Sequence, residues 1–77
     1  MDSDKLNGFF KNLGIVIYRR RQELGLSQAE LAQITGIHRT YVSDLENGKR
    51  NFSLGTLNAL AKSLEITVTE LIERAGG

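Results

Sequence analysis

The stretch HRTYVSDLENGKR, residues 38–50, is rich in side chains suited to hydrogen-bonded recognition. Wound as a helix at roughly 100° per residue, Arg39, Thr40, Ser43 and Asn47 gather on one arc with Asp44 on its flank. Tyr41, Val42 and Leu45 fall on the other side, and they are nearly all this helix offers to a core. An arginine can donate to both acceptors of a guanine edge, while Thr and Ser can donate, accept or touch a thymine methyl. Taken alone, such an arc is also what an ordinary solvated helix face looks like. Its neighbours tip the balance toward an anionic partner. Gln28 opens the preceding helix, where a side chain and free backbone N–H groups can grip a phosphate. Lys49, Arg50 and Asn51 follow on the next turn, and Tyr41 can combine a buried ring with a phenol that reaches a phosphate.

Covalent chemistry finds no support. His38 is the sole histidine, with no cluster of ligands at metal spacing around it. It is suited instead to capping the third helix or touching a phosphate. Ser27 and Ser43 lack a histidine base with an orienting partner. No glycine loop of the phosphate-cradling type is present, so neither catalytic residues nor a metal or cofactor is expected. The run Tyr18-Arg19-Arg20-Arg21 suggests a basic patch, but helical spacing sends its arginines in different directions. At most one or two of them can face the same anion.

These side chains need a scaffold, and the chain is read as one all-α domain over residues 1–77, with its core at about 9–75. Its 77 residues lie near the lower limit for a self-sufficient core. No cysteine is present to staple it, which suits a reducing cytoplasm. No apolar run approaches the ~20 residues of a membrane span, and the acidic start MDSDKLNG lacks the basic region of a signal peptide. The net charge is only +1, yet residues 19–50 hold six bases (Arg19, Arg20, Arg21, Arg39, Lys49, Arg50) against four acids (Glu23, Glu30, Asp44, Glu46). The middle of the chain is therefore mildly basic.

The apolar spacing is helical throughout, and proline is absent. Phe10, Leu13, Ile17 and Leu24, flanked by Phe9 and Val16, mark a long first helix that ends near Gly25. Ser27 and Glu30 form a capping box for a second helix that stops near Gly36. A third helix covers about 38–47, ended by Asn47-Gly48. Ser53 caps a fourth, with Leu57, Leu60, Ala61 and Leu64 on one face. Thr67 and Glu70 form a second capping box for a fifth, with Val68, Leu71, Ile72 and Ala75 on one face. Ala32 sits where the second and third helices would cross, and Leu31, Ile37, Val42 and Leu45 make their shared seam. Phe9, Phe10, Phe52 and Leu54 are expected in the core rather than around a ligand.

Two helices joined through a glycine turn over residues 28–47 have the length of a helix-turn-helix. The string SQAELAQITGIHRTYVSDLENGKR resembles the DNA-binding motif of the lambda-repressor and Cro class, the Xre-type regulators. Within it, GIHRTYVSDLENGKRNFSL is most similar to the controller proteins of restriction–modification systems. The resemblance implies a five-helix DNA-binding domain. Position by position, it assigns Arg39, Thr40, Ser43 and Asp44 to base edges. It assigns Gln28, Tyr41, Asn47, Lys49, Arg50 and Asn51 to the phosphate backbone. An aspartate at position 44 departs from the glutamine of some phage repressors: it can accept from cytosine N4, or simply repel phosphate and tune affinity. The resemblance also implies an Arg21–Glu46 ion pair tying the first helix to the end of the third.

The function expected is that of a transcriptional regulator, in which the third helix enters the major groove of double-stranded DNA. It would bind a palindromic operator as a homodimer built through the fourth and fifth helices and the turn at 51–54. RNA polymerase is a further partner to be expected of a controller. The rival expectation is a protein-interaction module, an antitoxin or adaptor that kept the fold. The chain ends soon after the fifth helix, which leaves little for the toxin-binding segment of an antitoxin.

Overall fold

Local side chains start and stop each helix of the computed structural model, which describes residues 3–76. The order is α1 (Ser3–Glu23), α2 (Gln28–Thr35), α3 (Arg39–Glu46), α4 (Leu54–Ser63) and α5 (Val68–Arg74), with no strand among the described residues. No helix among them is long and apolar enough to cross a membrane. Gly25, at φ +69°, closes α1: its N–H donates to the Gln22 carbonyl, and that of Leu26 to the Arg21 carbonyl. The left-handed turn thus satisfies carbonyls that a helix end leaves open.

At the start of α2 the Ser27 hydroxyl accepts from the Glu30 N–H at 3.0 Å, and the Glu30 carboxylate accepts from the Ser27 N–H at 2.9 Å. These bonds hold the Glu30 carboxyl below its usual value of 4.5, chiefly because the backbone donor favours the ionised form. A depressed folded-state pKa means that the cap contributes fully above the usual glutamate value and fades as pH falls through the lower one. Glu30→Gln is expected to remove this acid-side dependence. Urea melts of the two proteins at successive pH values check it, and parallel pH profiles would rule the linkage out.

The second capping box forms only by half. Thr67 accepts from the Glu70 N–H at 3.0 Å, but the Glu70 carboxylate accepts at 3.2 Å from the Thr67 hydroxyl rather than from the backbone. His38 is the N-cap residue of α3, yet its side chain makes no capping bond. Its extended backbone, φ −62° and ψ 143°, starts the helix without help from the imidazole.

The core gathers Leu13, Val16 and Ile17 of α1, Leu31 and Ala32 of α2, Val42 and Leu45 of α3, and Leu57, Leu60 and Ala61 of α4, with Leu64, Leu71 and Ala75 beyond them. Each of the larger side chains stabilises the fold by roughly 1.5–3 kcal/mol through burial. Ile37, Tyr41, Val68 and Ile72 pack against this cluster half-buried. Phe52 stacks on Phe10 with ring centroids 6.3 Å apart, and Phe9 meets Phe10 edge-on. Leu54 departs from expectation: at 83% exposed it stands outside the core, because the first residue of α4 precedes the turn whose inner face is buried.

α3 packs on both α1 and α2, while α5 bridges α1 and α4. The contact with α1 is unusually intimate at Gly14. A Cβ built there would overlap the Leu45 carbonyl oxygen and lie 2.9 Å from that of Glu46. Backbone therefore meets backbone, and the C-terminal end of α3 lies directly on α1. Nearby, Arg20 donates from Nε to the Leu64 carbonyl at 2.9 Å and from Nη2 to that of Glu65 at 3.3 Å. This arginine stitches α1 to the turn after α4, where Glu65 holds a left-handed φ of 56°.

Candidate nucleic-acid interface

Arg39 and Thr40 stand exposed in the first turn of α3, with Ser43 half-buried one turn on and Asn47 exposed at the end. They lie on one side because α3 buries Val42 and Leu45 on the other. The Asn47 amide donates at 2.9 Å to the Ser43 carbonyl and at 3.4 Å to its hydroxyl, so the lower part of the arc is held within its own helix. Neither Arg39 nor Lys49 forms an ion pair among the described residues. Their charges are open to an external anion.

Two elements, α1 and α2, fasten this helix. Arg21 and Glu46 are the buried charged residues among those described, at 5% and 8% exposure. The guanidinium meets the carboxylate with both edges: Nε–Oε2 is 2.7 Å and Nη2–Oε1 is 2.9 Å. Its Nη1 donates to the Leu26 carbonyl at 2.8 Å. The Glu46 hydrogen bonds raise the Arg21 pKa, burial opposes them, and the carboxylate's charge adds to the rise. Glu46 Oε1 also accepts from Gln28 Nε2 at 3.1 Å. One carboxylate thereby joins α1, the start of α2 and the end of α3. Gln28 is thus oriented at the N-terminus of α2, where N–H groups and helix dipole favour an anion.

The turn after α3 brings together two residues to which the sequence resemblance gives separate roles, Asp44 at base edges and Arg50 at the phosphate backbone. Gly48 is left-handed at φ +71°, and the Lys49 N–H folds back to donate to the Asp44 carbonyl at 2.8 Å. The chain then returns along α3, and Arg50 Nε donates to Asp44 Oδ2 at 3.1 Å. The Arg50 guanidinium also lies 5.1 Å from the centre of the Tyr41 ring. Asn51 is exposed beyond it, and His38 is exposed at the opposite end of α3. The signal for the Asp44–Arg50 contact was the Asn47-Gly48 turn itself, since a left-handed closure carries the chain back toward the last helical turn.

Arg20 and Arg21 are turned inward to α4 and α3, leaving Arg19 as the exposed arginine of that run. Among the described residues no group of His, Asp or Glu could hold a metal ion. The arrangement presents planar and short hydrogen-bonding groups on a clamped helix, flanked by cations and a helix N-terminus.

Two short helices closed by a glycine turn, the second displaying such an arc, define a helix-turn-helix protein. A model of the helix-turn-helix family matches residues 17–71, and the chain belongs to that family. Among curated proteins it is similar to control protein C.SmaI of Serratia marcescens, with 49% identity over 51 residues. That match takes in 66% of this chain and 61% of the relative, so the chain spans about three-fifths of its length. Among solved structures it is similar to the restriction-modification controller protein C.AhdI from Aeromonas hydrophila. Here the identity is 39% and the TM-score 0.78, over 80% of this chain and 94% of the other. It is also similar to the restriction-modification controller protein C.Esp1396I, solved as a tetramer in complex with its natural 35 base-pair operator. That likeness has 30% identity and a TM-score of 0.78, over 90% of this chain and 96% of the other.

Proposed function

We propose that the protein is a sequence-specific DNA-binding transcriptional regulator, a controller that acts in the cytoplasm through binding and not catalysis. The observation that carries this reading is the arc of exposed Arg39, Thr40 and Asn47 with half-buried Ser43 on a helix clamped by Arg21, Glu46 and Gln28. Likeness to a controller solved on its operator supports it. In this reading α3 enters the major groove, with Arg39, Thr40 and Ser43 directed at base edges. Gln28, His38, Tyr41, Asn47, Lys49, Arg50 and Asn51 meet the phosphates on either side and set the register.

The protein acts as a homodimer on a palindromic operator with half-sites one helical turn apart, ~34 Å. Its seam lies along α4 and α5, where exposed Leu54 and half-buried Ile66, Val68 and Ile72 leave an apolar remainder. A controller of this kind also meets RNA polymerase at the promoter it governs.

Fluorescence anisotropy across a salt series tests the reading. Log affinity falls with log salt by roughly 0.9 for each phosphate neutralised. Arg39→Ala loses ~1–3 kcal/mol of discrimination between operator and random duplex, the worth of one bidentate base contact. Lys49→Ala weakens every duplex about equally. Binding that ignores salt, or no binding to any duplex from a random pool, would sink the proposal.

A further inference from the structure

We propose that Asp44 is a positioning residue, which aims Arg50 at the DNA backbone, and not a reader of bases; the inference rests on the DNA-binding function proposed above. Asp44 holds the loop twice. Its carbonyl accepts from the Lys49 N–H at 2.8 Å, and its carboxylate accepts from Arg50 Nε at 3.1 Å. Tyr41 lies three residues before Asp44, so the two are neighbours on the surface of α3. The Arg50 guanidinium rests across both, 5.1 Å from the ring centre. Tyr41 is anchored in its turn by packing against the core.

The exposures fit a support and the group it supports. The Asp44 side chain is 26% exposed, while that of Arg50 is 54% exposed. The carboxylate is engaged with the loop, while the outer end of the guanidinium is left for a partner. Nε is occupied, but Nη1 and Nη2 have no bond to the protein among the described residues. Two donors in one fixed plane match a phosphate, and a guanidinium oriented beforehand loses less freedom on binding it.

The charges give this arrangement a particular consequence. Asp44 and Arg50 sum to zero, so together they add little to the general attraction for a polyanion. Asp44 lowers affinity for DNA at large while fixing where one phosphate must lie. Its removal therefore has opposite effects on the two kinds of binding: random duplex binds more tightly, and the preference for operator shrinks.

The experiment compares the wild-type chain, Asp44→Asn, Arg50→Ala and the double variant. Each is titrated by anisotropy with the duplex that wild type selects from a random pool and with a scrambled duplex of equal length. Asp44→Asn is expected to bind the scrambled duplex more tightly and to lose roughly tenfold in the operator-to-scrambled ratio. Arg50→Ala loses a similar factor, and in the double variant the two losses do not multiply, because they act through one contact. In the free protein, nitrogen-detected NMR shows an Arg50 Nε–H protected from exchange in wild type and unprotected in Asp44→Asn. Unchanged far-UV circular dichroism shows that this loss is local.

An unchanged ratio, or fully independent losses, overturns the proposal while leaving DNA binding intact. So does a fresh selection in which Asp44→Asn alters the preference at a single base pair, since that is the signature of a base reader. If wild type itself prefers no duplex, both the function and this role fall.

Discussion

Glu46→Ala is expected to lower the free energy of unfolding by ~3–5 kcal/mol, the usual consequence of removing one partner from a buried ion pair. The substitution leaves the Arg21 guanidinium, 5% exposed as a residue, with the Leu26 carbonyl as its remaining hydrogen-bond acceptor. It also deprives Gln28 Nε2 of its acceptor. A charge in that position must draw in water or force α1 and α3 apart. Domains are held by roughly 0.05–0.15 kcal/mol per residue, so for a chain of 77 residues the loss is a large part of the whole. Glu46→Gln should cost less, because a neutral acceptor remains. Replacing Arg21 and Glu46 together with apolar residues of similar volume should cost less still, since no charge is then left unpaired. Urea denaturation followed by circular dichroism measures all three. A Glu46→Ala midpoint within experimental scatter of wild type would show that the pair does not hold the fold.

Gly14→Ala is expected to destabilise the protein by at least ~1–3 kcal/mol, the cost of forcing atoms into a filled interior. Helix propensity alone argues the reverse, because alanine is favoured over glycine by ~1 kcal/mol inside a helix. The sign of the measured change therefore decides between local and tertiary control. Geometry favours the tertiary term: the added methyl overlaps the Leu45 carbonyl oxygen and crowds that of Glu46, and neither can swing aside as a side chain would. Gly8 is the internal control. It lies on the same helix with nothing within 4 Å of its built Cβ, so Gly8→Ala should stabilise by up to ~1 kcal/mol. If both alanines raise the thermal midpoint, α1 and α3 do not meet backbone to backbone at Gly14.

The contrast between these two glycines shows where a sequence can be read and where it cannot. Helix limits were legible because their causes are local: Ser27 with Glu30, Ser53, Gly25, Gly36 and Gly48 each act within a few residues. The inner faces were legible because α4 and α5 repeat Leu57, Leu60, Ala61, Leu64 and Leu71 at helical spacing. Gly14 carried no such mark, since a glycine inside a helical pattern registers as a cost until the partner helix is known. Leu54 misled for a related reason: it shares a helix face with buried Leu57 and Ala61, but at the very start of α4 no partner helix covers it. The wheel placed residues of α3 but not those beyond its end. Asp44 and Arg50 were therefore given separate roles although a left-handed closure brings them together. The Gln28–Glu46 bond was hidden by distance along the chain.

That last bond bears on how an operator is matched. With α1, α2 and α3 joined at one carboxylate, the proposed recognition unit is braced against internal changes of pitch. In the proposed dimer any misfit between the spacing of two half-sites and the spacing of two heads must be taken up elsewhere. The compliant parts are the seam between subunits and the duplex, whose bending stiffness depends on its sequence. A stiffer spacer, or one lengthened by a single base pair, then weakens binding even when every contacted base is retained. In the proposed complex, selectivity would then be partly a mechanical property of DNA that the protein never touches.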